Sequence, residues 1–183
     1  MYYIFLTDGF EEIEAIAPID ILRRARVNIS VIGVPKRTVT GAHGIALLCD
    51  LAISDIHPDE PFDGIILPGG PGHKALDASP EVHAFIDAAH ARGLLMAAIC
   101  AAPSILGKKG LLKGRKACCY PGYEKFLLGA EVLDMDVVRT GNIITSCGAG
   151  AAIEFALSLV GWAAGNETAV KIAEEIRFPS VLY

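Results

Sequence analysis

The pattern of apolar runs predicts an α/β layered fold, a mostly parallel sheet with helices on both faces. Two observations carry that expectation. Short apolar runs ending in turn residues alternate, along the whole chain, with segments whose apolar residues recur at helical spacing. The first strand, helix and strand are complete by Val34, a βαβ unit that favours a parallel pair and a right-handed crossover.

Residues 2–7 (YYIFLT) read as a buried strand closed by Asp8-Gly9. Over 11–25, Ile13, Ile16, Ala17, Ile21 and Leu22 recur near helical spacing, and Pro18 is expected to break or kink that helix. Strand character returns over 27–34 (VNISVIGV), and a hairpin at one side of the sheet is expected within 38–50, around Gly41 and Gly44. Residues 62–67 (FDGIIL) form the next buried strand and run into PGGPG, which reads as loop. A helix over 80–92 stops at Gly93, a C′ glycine, before a strand over 94–99 and a helix over 101–109. A weak strand (117–119), a short helix (123–128), strands at 137–139 and 143–146, and helices over 151–164 and 167–175 complete the chain.

With 183 residues and no linker-like stretch, one domain over 1–183 is expected. The apolar fraction of 52% suits strands buried on both faces, or apolar surface covered by a second subunit. The first residues are acidic and lack a basic n-region, and every apolar run is too short to span a bilayer, so a cytoplasmic chain away from membranes is expected. Five cysteines without paired spacing indicate neither a disulfide framework nor a zinc site. A net charge of −5 and no basic stripe argue against a nucleic-acid partner.

Ligands of such sheets bind outside the carboxyl ends of the strands, which directs attention to four segments: 8–14, 68–73, 100–102 and 147–150. Cys100 stands at a strand-to-helix corner resembling a nucleophile elbow, where the amides opening the next helix would lower its pKa. The amides of Gly69 and Gly70, arriving from the neighbouring strand end, join that of Ala101 as candidate oxyanion donors. A packed, inert cysteine is the rival reading. All five histidines precede Cys100, which excludes the class I amidotransferase arrangement; His43 and His73 are the ones able to approach the site. In GFEEIEA, helical spacing puts Glu11 and Glu14 on one side and turns Glu12 away, leaving Glu11 and Glu12 as ordinary partners of the helix dipole. A carboxyl within reach of Cys100 would be coupled to it, the thiolate keeping a proton on the glutamate.

GFEEIEA after the first strand, LPGG at 67–70, AAICAAP at 97–103 and TSCGAG before AAIEFAL together resemble the ThiJ/PfpI superfamily, most closely its branch around Parkinson disease protein 7. The resemblance spans essentially the full chain. It implies a flavodoxin-like three-layer sandwich and a homodimer. It further implies Cys100 as an oxidation-prone nucleophile, Glu14 as its protonated partner, and Gly70 and Ala101 as the oxyanion pocket. The activities implied are cofactor-independent glyoxalase (methylglyoxal to lactate) or deglycase chemistry on a small aldehyde or glycated substrate, with oxidative-stress sensing and chaperone roles beside them; no metal or organic cofactor is implied. Tyr120 stands where human-type members carry a histidine, Ala101 stands where the protease-like branch has one, which argues against peptidase activity, and Cys147 lies near a position where relatives often have arginine. An enzyme of small-carbonyl detoxification and a redox sensor whose cysteine reaches sulfinic acid both need the same perturbed thiol.

Overall fold

The computed structural model describes residues 1–179; residues 180–183, the end of the predicted domain, lie outside the described residues. Eleven strands occur among them: β1 (Tyr2–Leu6), β2 (Ile29–Gly33), β3 (Thr38–Thr40), β4 (Ala46–Leu48), β5 (Leu51–Ala52), β6 (Gly64–Leu67), β7 (Leu95–Ile99), β8 (Lys116–Ala117), β9 (Glu131–Val132), β10 (Val137–Thr140) and β11 (Ile143–Ser146). Six α-helices accompany them: α1 (Glu12–Arg24), α2 (His73–Ala78), α3 (Pro80–Ala91), α4 (Pro103–Lys108), α5 (Ala152–Ala164) and α6 (Asn166–Glu175).

Seven strands form the main sheet in the order β10-β11-β7-β6-β1-β2-β5, all parallel except the β10–β11 pair. Its centre, β2-β1-β6-β7-β11, is the flavodoxin-like order in which the second strand precedes the first. Side chains alternate along each strand between two cores. Ile4, Leu6, Val31, Ile66, Ala97 and Ile99 face α1, α5 and α6, where Leu22, Phe155 and Ile172 meet them. Tyr3, Phe5, Ile32, Ile65, Leu67 and Met96 face the other way, onto Leu76 of α2, Phe85 and Ile86 of α3 and Ile105 of α4. Burial on both faces explains why these strands read as continuous apolar runs.

The strand order reverses between β1 and β6, and this switch point leaves a crevice outside their carboxyl ends. The loops after β1 and β6 therefore meet there, with β7 and its corner alongside.

Several expectations change. Pro18 does not break α1, which runs unbroken from Glu12 to Arg24. Its missing amide leaves the Glu14 carbonyl without that helical donor, but Pro18, Ile19, Ile21 and Leu22 are all buried, and tertiary packing holds the turn together. The PGGPG loop is followed at once by α2, unseen because its proline and glycines dominate the local pattern. The helix expected over 101–109 starts only at Pro103, after a turn, and the one expected over 123–128 is a single 3₁₀ turn at Glu124–Phe126. The weak strand near 117 pairs outside the main sheet, with β9, which was not foreseen. The hairpin is β3 with β4, as expected, and Gly93 closes α3 at φ +66°.

Candidate active site

Cys100 follows β7 directly and adopts φ +64°, the left-handed region that a non-glycine residue occupies at a cost of about 1–3 kcal/mol. Backbone bonds hold it there: its amide donates to the Ser146 carbonyl of β11 at 2.9 Å, and its own carbonyl accepts from the Tyr120 amide at 2.8 Å. Cys100 packs against the edge of the core and is partly exposed there, while Ile99 and Ala101 are buried. Because α4 is only six residues long and begins three residues later, the donors that reach the sulfur are the individual amides of Gly70 and Ala101 rather than a long helix.

Gly70 supplies its amide from the loop after β6 with φ +75°; a Cβ there would lie 2.6 Å from the Glu11 nitrogen and 2.7 Å from the Gly9 oxygen. Only glycine lets this loop press against the turn after β1. Gly69 is constrained by space: a Cβ would come within 2.7 Å of both the Cys100 Cβ and Glu14 Oε2, and 3.0 Å of Sγ. The expected oxyanion role of Gly69 is corrected, since its amide donates to Glu14 Oε2 at 2.8 Å. It serves the carboxyl, not the pocket.

Glu14 is 1% exposed in the first turn of α1. Burial pushes its carboxyl up to about 7, against the opposing pull of the Gly69 amide and of the Cys100 thiol. On the thiol, burial and then the Glu14 charge push the pKa up to about 12, while the Gly70 and Ala101 amides draw it down. The lowered pKa expected at the elbow thus holds only for the amides' share. The pair accommodates one negative charge near neutral pH and resists a second.

Cys100, Gly70 and Ala101 open into a cavity of about 280 Å³ completed by Pro71, His73, Lys74, Tyr120 and Tyr123. Lys74 and Tyr123 were not singled out from the sequence; nothing local marks Tyr123, whose ring meets His73 edge-on at 5.2 Å. Tyr120, 50% exposed, stands between this cavity and a larger one of about 830 Å³ lined by Cys119, Met135, Cys147 and the Gly148–Gly150 turn. Cys147 belongs to that second cavity, with Sγ 3.5 Å from Asp136 Oδ1.

His43 lies elsewhere. Its Nδ1 is 2.8 Å from Glu12 Oε2 and its amide donates to Glu12 Oε1 at 2.7 Å, so the hairpin, not the thiol cavity, holds it. Glu12 is correspondingly more than a dipole partner. Burial would raise its carboxyl, but hydrogen bonds from the His43 ring, the His43 amide and the Ile45 amide outweigh this and hold it at about 2. With Glu11, these residues form the one cluster among the described residues whose ligand atoms lie close enough for a metal, within 4.8 Å. The hydrogen bonds already account for Glu12, and no metal is invoked. All five cysteines are free; Cys49, Cys118 and Cys119 are buried, and burial raises their thiols to about 11, 11 and 12.

A DJ-1/PfpI family profile matches residues 2–161. The chain belongs to the DJ-1/PfpI family. It is 39% identical over 169 residues to DJ-1 homolog B of Arabidopsis thaliana, covering 90% of this chain but 38% of that longer protein. Similarity extends to a protein named glutathione-independent glyoxalase in Caenorhabditis elegans, 36% identical over 158 residues (86% of this chain, 84% of the relative). A protein named deglycase in Pyrococcus horikoshii is 32% identical over 149 residues (80% and 89%). Among solved structures, a DJ-1 superfamily protein from Salmonella typhimurium superposes with a TM-score of 0.92 at 36% identity, over 97% of this chain and 98% of the other. Among the described residues of this DJ-1/PfpI chain, no helix is long and apolar enough to cross a membrane.

Proposed function

We propose that this protein is a cytoplasmic stress-response enzyme that uses Cys100 to convert small reactive aldehydes of the methylglyoxal type, as a cofactor-independent glyoxalase or deglycase. The observation that carries the reading is the convergence on one sulfur of a strained corner, two backbone amides and a buried carboxyl with its pKa near 7. The Cys100 thiolate attacks the aldehyde carbon, Glu14 holds the proton that the thiol has given up, and the Gly70 and Ala101 amides hold the oxyanion of the hemithioacetal. A cavity near 280 Å³ suits a small carbonyl compound, and the neighbouring cavity beyond Tyr120 offers room for the remainder of a glycated substrate. The names of the nematode and archaeal relatives support the same chemistry.

A second reading, redox sensing or chaperoning, is favoured by the same carboxyl: a protonated Glu14 can donate to a Cys100 sulfinate and stabilise it without turnover. Lactate formation from methylglyoxal separates the two. Turnover lost in Cys100→Ser supports the enzyme, whereas sulfinate formation by mass spectrometry with no lactate favours the sensor.

The apolar surface of Ile13, Ile16, Ile45 and Ile153 supports a homodimer, since a contiguous exposed patch of this kind is uncommon on a monomer. Light scattering on the wild type and on Ile13→Glu tests it; a monomeric wild type contradicts it.

A further inference from the structure

The proton transfer that follows hemithioacetal formation lacks an obvious agent. Conversion to the lactate thioester must carry a proton from C1 to C2 of the bound carbonyl compound. Glu14 lies beneath the sulfur, 1% exposed, with Oε2 bound to the Gly69 amide, and is not among the residues lining the cavity. Tyr120, Tyr123 and Lys74 do line it, but none of them offers the ring-nitrogen lone pair of an imidazole. The remaining candidate is His73, the first residue of α2.

His73 is 5% exposed, yet it forms part of the wall of the cavity that contains Cys100. Its Nδ1 lies 2.7 Å from the Gly70 carbonyl. A carbonyl can only accept, so Nδ1 carries the hydrogen, and in the neutral ring Nε2 is the nitrogen with the lone pair. Nε2 has no protein hydrogen-bond partner among the described residues and is not sealed within the core. The ring packs edge-on against that of Tyr123, at 81° and 5.2 Å between centroids. Orientation by a second-atom hydrogen bond and an aromatic neighbour is what a positioned base requires, and imidazole is the side chain suited to exchange protons near neutral pH.

We propose that His73 is the acid–base residue of this site, a role that rests on the glyoxalase reading above. Thiolate addition forms the S–C1 bond and leaves the C1 oxygen as an oxyanion; the proton that the thiol gave up to Glu14 returns to that oxygen and completes CH₃–CO–CH(OH)–S–Cys100. Nε2 of His73 then removes the C1 proton, giving an enediolate with its charge on the C2 oxygen; the C1 hydroxyl proton passes to that oxygen and the imidazolium returns its proton to C2, so that C2 becomes CHOH and C1 the thioester carbonyl. Water adds to the thioester, breaks the S–C1 bond, releases lactate and restores the thiol. No external oxidant or reductant is consumed. The bond from Nδ1 to the Gly70 carbonyl also couples the base to the loop that supplies an oxyanion donor.

The test uses methylglyoxal as the probe and three proteins: wild type, His73→Asn and His73→Ala. Asparagine can still donate to the Gly70 carbonyl from the place of Nδ1 but has nothing at Nε2. The expected result is a fall in kcat of about 10²–10³ in His73→Asn with KM little changed, together with recovery of part of the His73→Ala loss by added imidazole. The alkylation rate of Cys100 and the melting temperature of His73→Asn should stay close to wild type. Turnover within a few-fold of wild type in His73→Asn overturns the inference while leaving the glyoxalase reading intact. An equal loss of alkylation and turnover also overturns it, because His73 would then only position the Gly70 loop. Absence of lactate from the wild type itself defeats the glyoxalase reading, and the role of His73 falls with it.

Discussion

Glu12 and Glu14 sit two residues apart in the first turn of one helix, both buried, and their carboxyls have opposite proton affinities. Glu14 is pushed up to about 7, Glu12 held at about 2. Burial alone raises both. The difference lies in the donors: Glu12 faces an imidazole and the amides of His43 and Ile45, whereas Glu14 faces the Gly69 amide and a thiol that itself competes for the charge. The helix thus carries a structural anion on the side of the hairpin and a proton store on the side of the sulfur.

Removing the sulfur strips Glu14 of its partner and has the largest effect. Cys100→Ser is expected to lower methylglyoxal turnover by at least about three orders of magnitude, measured as lactate formed per hour. Next, Glu14→Gln should lower turnover by about 10²–10³ while raising stability at alkaline pH. The sign follows from the raised folded pKa: the neutral carboxyl costs nothing below about pH 4.5, and stability is lost as pH rises through about 7. Glutamine removes that loss, a gain of about 3 kcal/mol near pH 8 that should vanish near pH 4, read from urea titrations at both values. Gly69→Ala, which drives a methyl group between Cys100 and Glu14, should cost about 1–3 kcal/mol and uncouple the pair, seen as a changed pH profile of Cys100 alkylation.

Glu12→Gln should show the reverse pH dependence, with a smaller amplitude. A depressed carboxyl pKa contributes stability above about pH 4.5 that is lost as pH falls through about 2. His43, raised by its bond to Glu12 and then by Glu11, contributes below about pH 6.5 and loses its share as pH rises above that. The variant should therefore melt a few degrees lower than wild type at pH 6 and converge with it in acid, with methylglyoxal turnover little changed. Loss of turnover equal to that of Glu14→Gln would erase the distinction between the two sides of the helix.

Much of this architecture is legible in the chain. Buried parallel strands announce themselves as apolar runs, and the turn residues after them mark the crevice, which is why Cys100, Glu14, Gly70 and Ala101 could be assembled from strand ends and the motifs that resemble a known family. Contacts between distant segments leave no such local trace. Glu12 meets His43 across 31 residues, and the same spacing rule that paired Glu11 with Glu14 gave no reason to expect an exposed imidazole bonded to a buried carboxyl there. Likewise α2 hides behind PGGPG, and His73 can be placed against Gly70 and Tyr123 only when the loop and the 3₁₀ turn at Glu124–Phe126 are folded together. Gly69 looked interchangeable with Gly70 because adjacent amides are indistinguishable in sequence, although successive peptide planes point in different directions.

The central claim is that Cys100 and Glu14 share a single charge near neutral pH, each holding the other's proton affinity away from its ordinary value. The direct measurement is the rate of iodoacetamide modification at Cys100 from pH 4 to 11, mapped by mass spectrometry, in wild type and Glu14→Gln. The account predicts that the charge on Glu14 holds the thiol up, so that the alkylation midpoint moves to lower pH in Glu14→Gln than in wild type. A midpoint unchanged in Glu14→Gln would mean that the two groups titrate independently and would contradict the account.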